Sequence, residues 1–273
     1  MAKLSVITIN LNDKNGLQKT INSLMCQTYQ DFDFYVIDGG STDGSVDVIK
    51  QYENRITYWV SEPDRGIYNA MNKAIAKAEG EYCYFLNSGD YLVNETVFES
   101  VFKGDPHESF ICGNFYYEEN GVRTHQTEYR ERDWAFALYD IYSGYLCHQA
   151  FFIRTDNFRK YGLYSEEYKI LSDWKLFLEA IGVNHEAVRY VDTDIVVYNL
   201  GGISYTIGGK AIYKEKVKIA ENVLSPYLFK KLNRLYYLQR NDFYVDFIFS
   251  RKWITFIIKC FMKACYVLKI SKP

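Results

Sequence analysis

The sequence lacks the features that mark secreted, membrane-spanning and nucleic-acid-binding proteins. The first residues, Met1 to Val6, do not open the long apolar stretch of a signal peptide. No run of about 18 uncharged apolar residues, the length that spans a bilayer, occurs anywhere in the chain. The net charge of -2 provides no excess of cations for a nucleic acid. We therefore expect a cytoplasmic protein without a nucleic-acid partner.

The cysteines show no CxxC spacing, and internal repeats and low-complexity linkers are also absent. Four of the six cysteines lie in apolar, strand-like runs, so we interpret them all as reduced core thiols rather than as disulfides or metal ligands. They are Cys26, Cys83, Cys112, Cys147, Cys260 and Cys265.

What the first half does contain is a regular alternation of strand and helix patterns. Short apolar runs at 4–9, 32–37, 56–60 and 82–86 are typical of buried strands. The strongest helical periodicity lies between them, from Ile67 to Ala78, and Gly80 fits its C-terminal stop. This alternation predicts an α/β fold with a mostly parallel sheet flanked by helices, which binds ligands at the carboxyl ends of its strands.

The second half is less regular. Strands are predicted at 109–117, 146–154 and 189–198, and a helix at 174–181. From Lys210 onward the pattern is helical and increasingly basic. We expect a domain at 1–208 followed by a helical region at 209–273.

Polar residues follow the first two predicted strands, at Thr8-Ile9-Asn10 and at Asp38-Gly39-Gly40-Ser41. They resemble the opening of glycosyltransferase family 2, whose GT-A fold is a Rossmann-like sheet that binds a nucleotide-sugar. The resemblance implies that Thr8, Asn10 and Asp38 bind the nucleoside, and a carboxylate there can accept the uracil imide proton. Taken alone, these residues also fit a plain βαβ unit with an Asp-Gly turn.

The segment SEPDRGIYNAMNKAI at 61–75 resembles a subgroup of that family with a motif close to SEPDxGIYDAMNKGI. A loop that feeds a helix N-terminus suits a diphosphate, and Arg65 adds a charge-assisted donor to it. We assign nucleotide binding to both Asp64 and Arg65. Asn69 and Ala74 depart from the subgroup's more usual Asp and Gly, which puts roles for those two positions in doubt. We expect the apolar face of this helix to be core, and leave Tyr68 undecided together with Asn72.

Asn87-Ser88-Gly89-Asp90 occupies the place of the family's metal-binding DxD motif, with one carboxylate instead of two. A divalent cation needs few protein ligands where phosphate oxygens supply the rest. The resemblance therefore implies that Asp90 holds Mn2+ or Mg2+, with Asn87 as a further contact to donor or acceptor. The alternative is an Asx turn at a strand end.

Ser172-Asp173-Trp174 matches the place where the family has an acidic catalytic base at the start of a helix. Inverting transfer needs such a base, because the acceptor hydroxyl must lose its proton as it attacks. Asp173 also fits a helix N-cap, and both roles are compatible. His148 and Gln149 match the subgroup too, as contacts to acceptor or phosphate or as structural residues. The loop at 201–204 resembles one that closes over the donor.

These resemblances span about residues 3–205 and imply a hexosyl- or N-acetylhexosaminyltransferase in cell-surface glycan synthesis. The donor would be an NDP-sugar, with UDP-sugar ahead of GDP-sugar, and the acceptor a glycan or lipid-linked hydroxyl. The alternative is a non-catalytic nucleotide-sugar-binding protein of the same fold. A nucleotidyltransferase is disfavoured because no Gly- and Lys-rich triphosphate loop occurs near the N-terminus.

The last segment, 250–273, contains six cations and no acid, interleaved with Trp, Phe and Ile. Lys252, Lys259 and Lys263 share one helical face, which predicts a basic amphipathic helix on an anionic membrane surface. Docking on the catalytic domain or on the second subunit of a homodimer is the alternative. We expect peripheral association with the inner face of the plasma membrane.

Overall fold

The computed structural model describes residues 2–127, 134–144, 146–200 and 209–240. The chain divides into two compact units, residues 1–223 and residues 224–273. The sheet and every predicted site residue belong to the first unit. The predicted division after residue 208 stays a prediction.

One nine-stranded sheet forms the centre of the first unit. Its strands are β1 Leu4–Asn10, β2 Phe32–Asp38, β3 Tyr58–Ser61, β4 Tyr82–Phe85, β5 Tyr91–Leu92, β6 Phe110–Glu119, β7 Val122–Gln126, β8 Phe151–Arg154 and β9 Val188–Asn199. Their order is β3-β2-β1-β4-β8-β6-β9-β5, and β7 pairs with β6. The first four strands are parallel, as the strand–helix alternation predicts.

Eight of the described α-helices belong to the first unit and the last one belongs to the second. They are α1 Lys14–Met25, α2 Ser45–Gln51, α3 Ile67–Ile75, α4 Val97–Val101, α5 Trp134–Ser143, α6 Asp156–Lys160, α7 Ser172–Phe177, α8 Gly209–Val223 and α9 Pro226–Arg240. A π-helical segment, Leu178–Val183, continues α7, and a 3-10 turn, His148–Ala150, precedes β8.

The strand β8 changes the character of the sheet. It runs antiparallel to both β4 and β6, whereas β6 and β9 are parallel to each other. Aromatic side chains pack over this junction, and the rings of Tyr84 and Phe152 stack with centroids 4.3 Å apart. The junction therefore fixes the turn before β8 beside the carboxyl end of β4.

Three details differ from the expectations. The helix α3 ends at Ile75, before Ala78, and Gly80 does not serve as its stop. Gly80 is needed because a Cβ there would lie 2.6 Å from the Ser5 backbone nitrogen. Among the free cysteines of the described chain, Cys83 and Cys112 are buried and Cys147 is half-buried. Cys26 is exposed because it caps the C-terminus of α1, beyond the buried face, so its assignment to the core was wrong.

The described part of the second unit is α9. In the part of the chain with assigned structure, no helix is both long and apolar enough to cross a membrane. The predicted basic tail and the loop at 201–204 lie outside the described residues.

Candidate functional site

The predicted site residues lie at the carboxyl ends of β1, β2 and β4, in the turn before β8 and in the first turn of α7. Because β1 lies between β2 and β4 in the sheet, the loops that follow these strands are neighbours. The structure thus brings residues far apart in sequence to one edge of the sheet.

Asp38 is the common hydrogen-bond acceptor at the carboxyl ends of β1 and β2. Its fully buried carboxylate accepts hydrogen bonds from Asn10 Nδ2 at 2.7 Å, Ser61 Oγ at 2.6 Å and Ser41 Oγ at 2.6 Å. It also accepts from the backbone nitrogens of Gly40 and Ser41 at 3.2 and 2.9 Å. Burial alone would raise the pKa of this carboxyl, but the donors from Ser41, Ser61 and Asn10 outweigh it, and the pKa is lowered. Asp38 is therefore a carboxylate that organises its loop.

The two other residues predicted to bind the nucleoside connect the strand ends. Thr8 is fully buried, and its hydroxyl donates to the carbonyl of Leu86 at 2.7 Å. Asn10 donates to Asp38 and accepts from Ser88 Oγ at 2.8 Å. Through Asn10, the Asp38 loop and the Asn87–Asp90 loop form one continuous polar network.

Asp64 and Arg65 precede α3 but have different surroundings. Asp64 accepts from Lys73 Nζ at 2.6 Å, and Lys73 also pairs with Glu62 at 2.8 Å. Arg65 is 76% exposed and pairs with Glu166 at 2.8 Å. Arg65 is thus an exposed cation paired with one carboxylate, whereas Lys73 holds the SEPD segment in place.

Asp90 is buried directly after β4. Its oxygens accept from Gln149 Nε2 and from the backbone nitrogen of Asn199, both at 3.0 Å. Burial raises the pKa of this carboxyl to about 7, against the effect of the two hydrogen bonds. The sequence motif Cys147-His148-Gln149 therefore reaches the DxD-like loop through Gln149.

A metal ion would have few protein ligands here. No group of three or more His, Cys, Asp or Glu side chains in the described chain is arranged to hold one. The amide oxygen of Asn87 is buried without a hydrogen-bond partner, and such an oxygen is a ligand that Mg2+ and Mn2+ accept. Asn87 and Asp90 therefore fit a cation that takes its other ligands from a bound diphosphate.

Asp173 is held by two partners from separate elements. Its Oδ2 lies 2.9 Å from His148 Nδ1, and its Oδ1 accepts from the hydroxyl of Tyr68 at 2.8 Å. His148 Nε2 lies 3.5 Å from Asn87 Nδ2. Burial and the charge of Asp173 raise the pKa of Tyr68 well above its ordinary value, so Tyr68 stays a hydrogen-bond donor. The carboxylate is oriented on both sides while it remains at the surface of a cavity.

Sequence reasoning left Tyr68 undecided and missed two acids. Glu166 pairs with Arg65 and Asn69, and Glu215 of α8 accepts from the backbone nitrogens of residues 169–171. Tyr68 lies four residues before Asn72, and both face the loop before α7, where Asn72 Nδ2 donates to the carbonyl of Tyr164. That helical spacing was the available signal. Glu166 and Glu215 offered none, because their partners are more than 40 residues away.

A cavity of about 440 Å³ opens beside Asp173. Its lining comes from β6, β9, the turn before β8, α7 and α8. The residues are Tyr117, Leu146, Cys147, His148, Gln149, Ile170, Leu171, Asp173, Trp174, Tyr198, Leu200 and Ile212.

Comparison with known proteins gives a family match. Residues 5–162, more than half of the chain, match the sequence model of the family described as glycosyl transferase family 2. This stretch contains β1 apart from its first residue and the strands β2 to β8, and with them every predicted site residue except Asp173.

Two curated relatives are glycosyltransferases. The uncharacterized glycosyltransferase MT1564 of Mycobacterium tuberculosis (strain CDC 1551 / Oshkosh) is 48% identical over 88 residues, 32% of this chain and 34% of the relative. The match thus spans about a third of that relative's length. A PGL/p-HBAD biosynthesis glycosyltransferase of Mycobacterium bovis (strain BCG / Pasteur 1173P2) is 30% identical over 222 residues, 77% of this chain and 82% of the relative.

Two solved structures share the fold. S. aureus TarS 1-349 in complex with UDP superposes with a TM-score of 0.65 at 18% identity, covering 92% of this chain and 75% of that one. The mannosyltransferase PcManGT from Pyrobaculum calidifontis, in complex with GDP-Man and Mn2+, gives 0.62 at 16% identity, covering 87% and 70%. At these identities the likeness shows the fold alone, and it confirms the GT-A α/β architecture.

Proposed function

Since the chain belongs to glycosyl transferase family 2, we propose that it is an inverting transferase that moves a hexosyl or N-acetylhexosaminyl group from an NDP-sugar to an acceptor hydroxyl. The observation that carries this proposal is the position of Asp173. A carboxylate oriented by His148 and Tyr68 lies between a cavity and the loop of Asp90. Inversion requires a base on one face of the anomeric carbon and the leaving diphosphate on the opposite face. We assign the first role to Asp173 and place the diphosphate beside the loop of Asp90.

Asp173 acts as the general base. It accepts the proton of the acceptor hydroxyl while the oxygen forms a bond to the anomeric carbon and the diphosphate leaves from the opposite face. Asn87 Nδ2 can only donate, so in this contact His148 Nε2 accepts and Nδ1 carries a proton. That proton points at Asp173 Oδ2 and fixes the carboxylate without taking its charge.

The donor nucleotide lies over the ends of β1 and β2. Asn10 and Asp38, which are hydrogen-bonded to each other, bind the nucleoside. Thr8 supports this part of the site through its hydrogen bond to the carbonyl of Leu86. Arg65 and the unpaired backbone amides at the start of α3 face the diphosphate, because a helix N-terminus and a guanidinium both favour anions. Asp64 lies beside the loop that follows β2, because a Cβ added at Gly39 of that loop would be 3.1 Å from the Asp64 carboxylate.

A divalent cation, Mn2+ or Mg2+, would be held by Asp90 and the amide oxygen of Asn87. When bound, it neutralises charge on the leaving diphosphate. Gln149 orients the Asp90 carboxylate toward that position through its hydrogen bond. The Mn2+ in the PcManGT complex supports a metal in this fold.

UDP-sugars are the first donor candidates and GDP-sugars the second. The UDP complex of TarS and the GDP-Man complex of PcManGT show that both nucleotides occur on this fold. For the acceptor, we propose a glycan or lipid-linked hydroxyl in cell-surface glycan synthesis. The relative named for PGL/p-HBAD biosynthesis supports this.

A donor-hydrolysis screen tests the proposal. Purified protein is incubated with UDP- and GDP-sugars, with Mn2+ and with EDTA, and release of the nucleoside diphosphate is measured. We expect one nucleotide series to be hydrolysed faster with Mn2+, and hydrolysis to be lost in Asp90→Ala. Tight UDP or GDP binding with no hydrolysis and no transfer would instead identify a non-catalytic nucleotide-sugar-binding protein.

A further inference from the structure

The cavity beside Asp173 lies on the opposite side of the site from the nucleotide strands. In the sheet, β1 and β2 are on one side of β4, while β8, β6 and β9 are on the other. Tyr117 and Tyr198, which line the cavity, belong to β6 and β9. A group bound here therefore approaches the base Asp173 from the side that the donor leaves open.

The polar groups of the cavity wall are largely used within the protein. The indole nitrogen of Trp174 donates to the carbonyl of Ile141 at 2.7 Å, so its ring offers only apolar surface. The backbone nitrogens of Ile170 and Leu171 donate to Glu215, and the carbonyl of Ile170 accepts from Tyr68. This stretch of wall presents aliphatic and aromatic side chains and few free donors or acceptors.

The described lining of the cavity contains an acidic side chain and no Lys or Arg to balance it. The one acidic side chain among these lining residues is Asp173, at the reacting end. A phosphate or carboxylate inside the cavity would meet no Lys or Arg among these lining side chains and would be repelled by the Asp173 carboxylate. Leu146, Leu200 and Ile212 instead contribute half-exposed apolar side chains to the lining.

We propose that the cavity binds a hydrocarbon aglycone attached to the acceptor sugar, so that the acceptor is an apolar glycoside rather than a free or phosphorylated sugar. This inference rests on the transferase activity proposed above. Each methylene buried in such a cavity is expected to tighten binding roughly fourfold. His148 and Asp173 then meet the sugar hydroxyl at the polar end.

Binding of the acceptor is measured on its own, separately from the donor-hydrolysis screen. The probes are methyl, n-hexyl and phenyl β-glycosides of glucose, galactose, mannose and N-acetylglucosamine, each titrated calorimetrically into the UDP-saturated full-length protein. We expect at least one hexyl or phenyl glycoside to bind roughly tenfold or more tightly than the methyl glycoside of the same sugar. The hexyl and phenyl arms distinguish an aliphatic from an aromatic aglycone.

A matched pair of variants places the effect in the cavity. Ile212 is half-exposed, so Ile212→Glu adds a charge to the cavity lining at little structural cost, and Ile212→Leu conserves the apolar surface. Ile212→Glu should remove the preference for the hexyl or phenyl glycoside and keep UDP affinity and thermal stability. Ile212→Leu should retain the preference.

The outcomes distinguish this inference from the proposed function. If methyl and apolar glycosides bind alike, if none of the apolar glycosides binds, or if Ile212→Glu keeps the preference, the inference is wrong even where transfer occurs. If apolar glycosides bind in the cavity but no donor is hydrolysed or transferred, the transferase proposal fails and the apolar site remains.

Discussion

Asp173 has its position fixed by two hydrogen-bond partners, and this makes its role testable by an isosteric change. Asp173→Asn keeps the shape of the side chain but removes the charge that accepts a proton. We expect turnover to fall roughly 10²- to 10⁴-fold while donor affinity stays unchanged. Steady-state transfer rates and calorimetry with UDP measure the two quantities, and near wild-type turnover would rule the assignment out.

Asp38 supports a prediction about stability. Its folded-state pKa is lowered from 3.8 because Ser41, Ser61 and Asn10 donate to the carboxylate against the effect of burial. A lowered pKa gives stability that is present above the unfolded pKa and is lost as pH falls through the folded pKa. Asp38→Asn should therefore lower the free energy of unfolding by about 1–3 kcal/mol at pH 7.

Urea unfolding at pH 7, 5, 4 and 3.5 checks this sign. The difference between wild type and Asp38→Asn should be constant down to about pH 5 and shrink below pH 4. Asp31→Asn, at an exposed loop position, is the control that should show no such trend. A difference that stays constant to pH 3.5 would contradict the account of Asp38.

At the scale of residues, the sequence indicated where the candidate side chains lie but not which hydrogen bonds join them. The positions of Asp38, Asp90 and Asp173 were predictable because each follows a strand or begins a helix in a recognisable motif, whereas their roles stay predictions. The five donors on Asp38 were not predictable, since Ser61 is 23 residues away and joins only once β2 and β3 pair. The link between Gln149 and Asp90 likewise exists only because β8 lies beside β4.

At the scale of elements, α8 connects to the base through one side chain. Glu215 accepts from the backbone nitrogens of Lys169, Ile170 and Leu171 at 3.0, 2.9 and 2.7 Å. Leu171 immediately precedes α7, and the carbonyl of Ile170 receives the hydroxyl of Tyr68. The helix α8 therefore positions the loop that leads into α7, the helix that carries Asp173, and sequence periodicity along α8 could not show this.

Removal of this anchor should affect turnover more than binding. Glu215→Ala leaves three backbone donors without their carboxylate, and we expect kcat to fall roughly tenfold with the donor KM nearly unchanged, because Asp173 loses its orientation. Glu221→Ala, on an exposed position of the same helix, is the matched control. A variant that loses stability but keeps wild-type kcat would show that Glu215 only supports the fold.

The fold itself was predictable where elements alternate regularly and less so elsewhere. The parallel strands β1 to β4 follow from apolar runs separated by helices. The antiparallel insertion of β8 between β4 and β6 was not evident, because it depends on aromatic packing such as that of Tyr84 on Phe152 rather than on local periodicity.

At the scale of the whole molecule, charge is divided between the two units. Residues 224–273 contain ten Lys and Arg and two Asp, whereas residues 1–223 contain the other 22 cations and 32 acids. The helix α9 adds to this pattern, because it contains Lys230, Lys231, Arg234 and Arg240 and no acid. A catalytic unit with this negative excess is repelled by anionic lipid, so attraction to a membrane would have to come from the second unit.

We therefore predict that reversal of three tail charges releases the protein from anionic membranes. Each Lys near an anionic surface contributes roughly 1 kcal/mol, so Lys252→Glu/Lys259→Glu/Lys263→Glu should largely abolish sedimentation with phosphatidylglycerol vesicles and leave UDP affinity unchanged. High salt should weaken wild-type sedimentation, since exposed charges are screened. The control Lys50→Glu/Lys77→Glu/Lys103→Glu makes the same net charge change at exposed positions of the first unit. If both triple variants lose binding equally, net charge explains it, and if the tail variant sediments like wild type, the tail is not a membrane anchor.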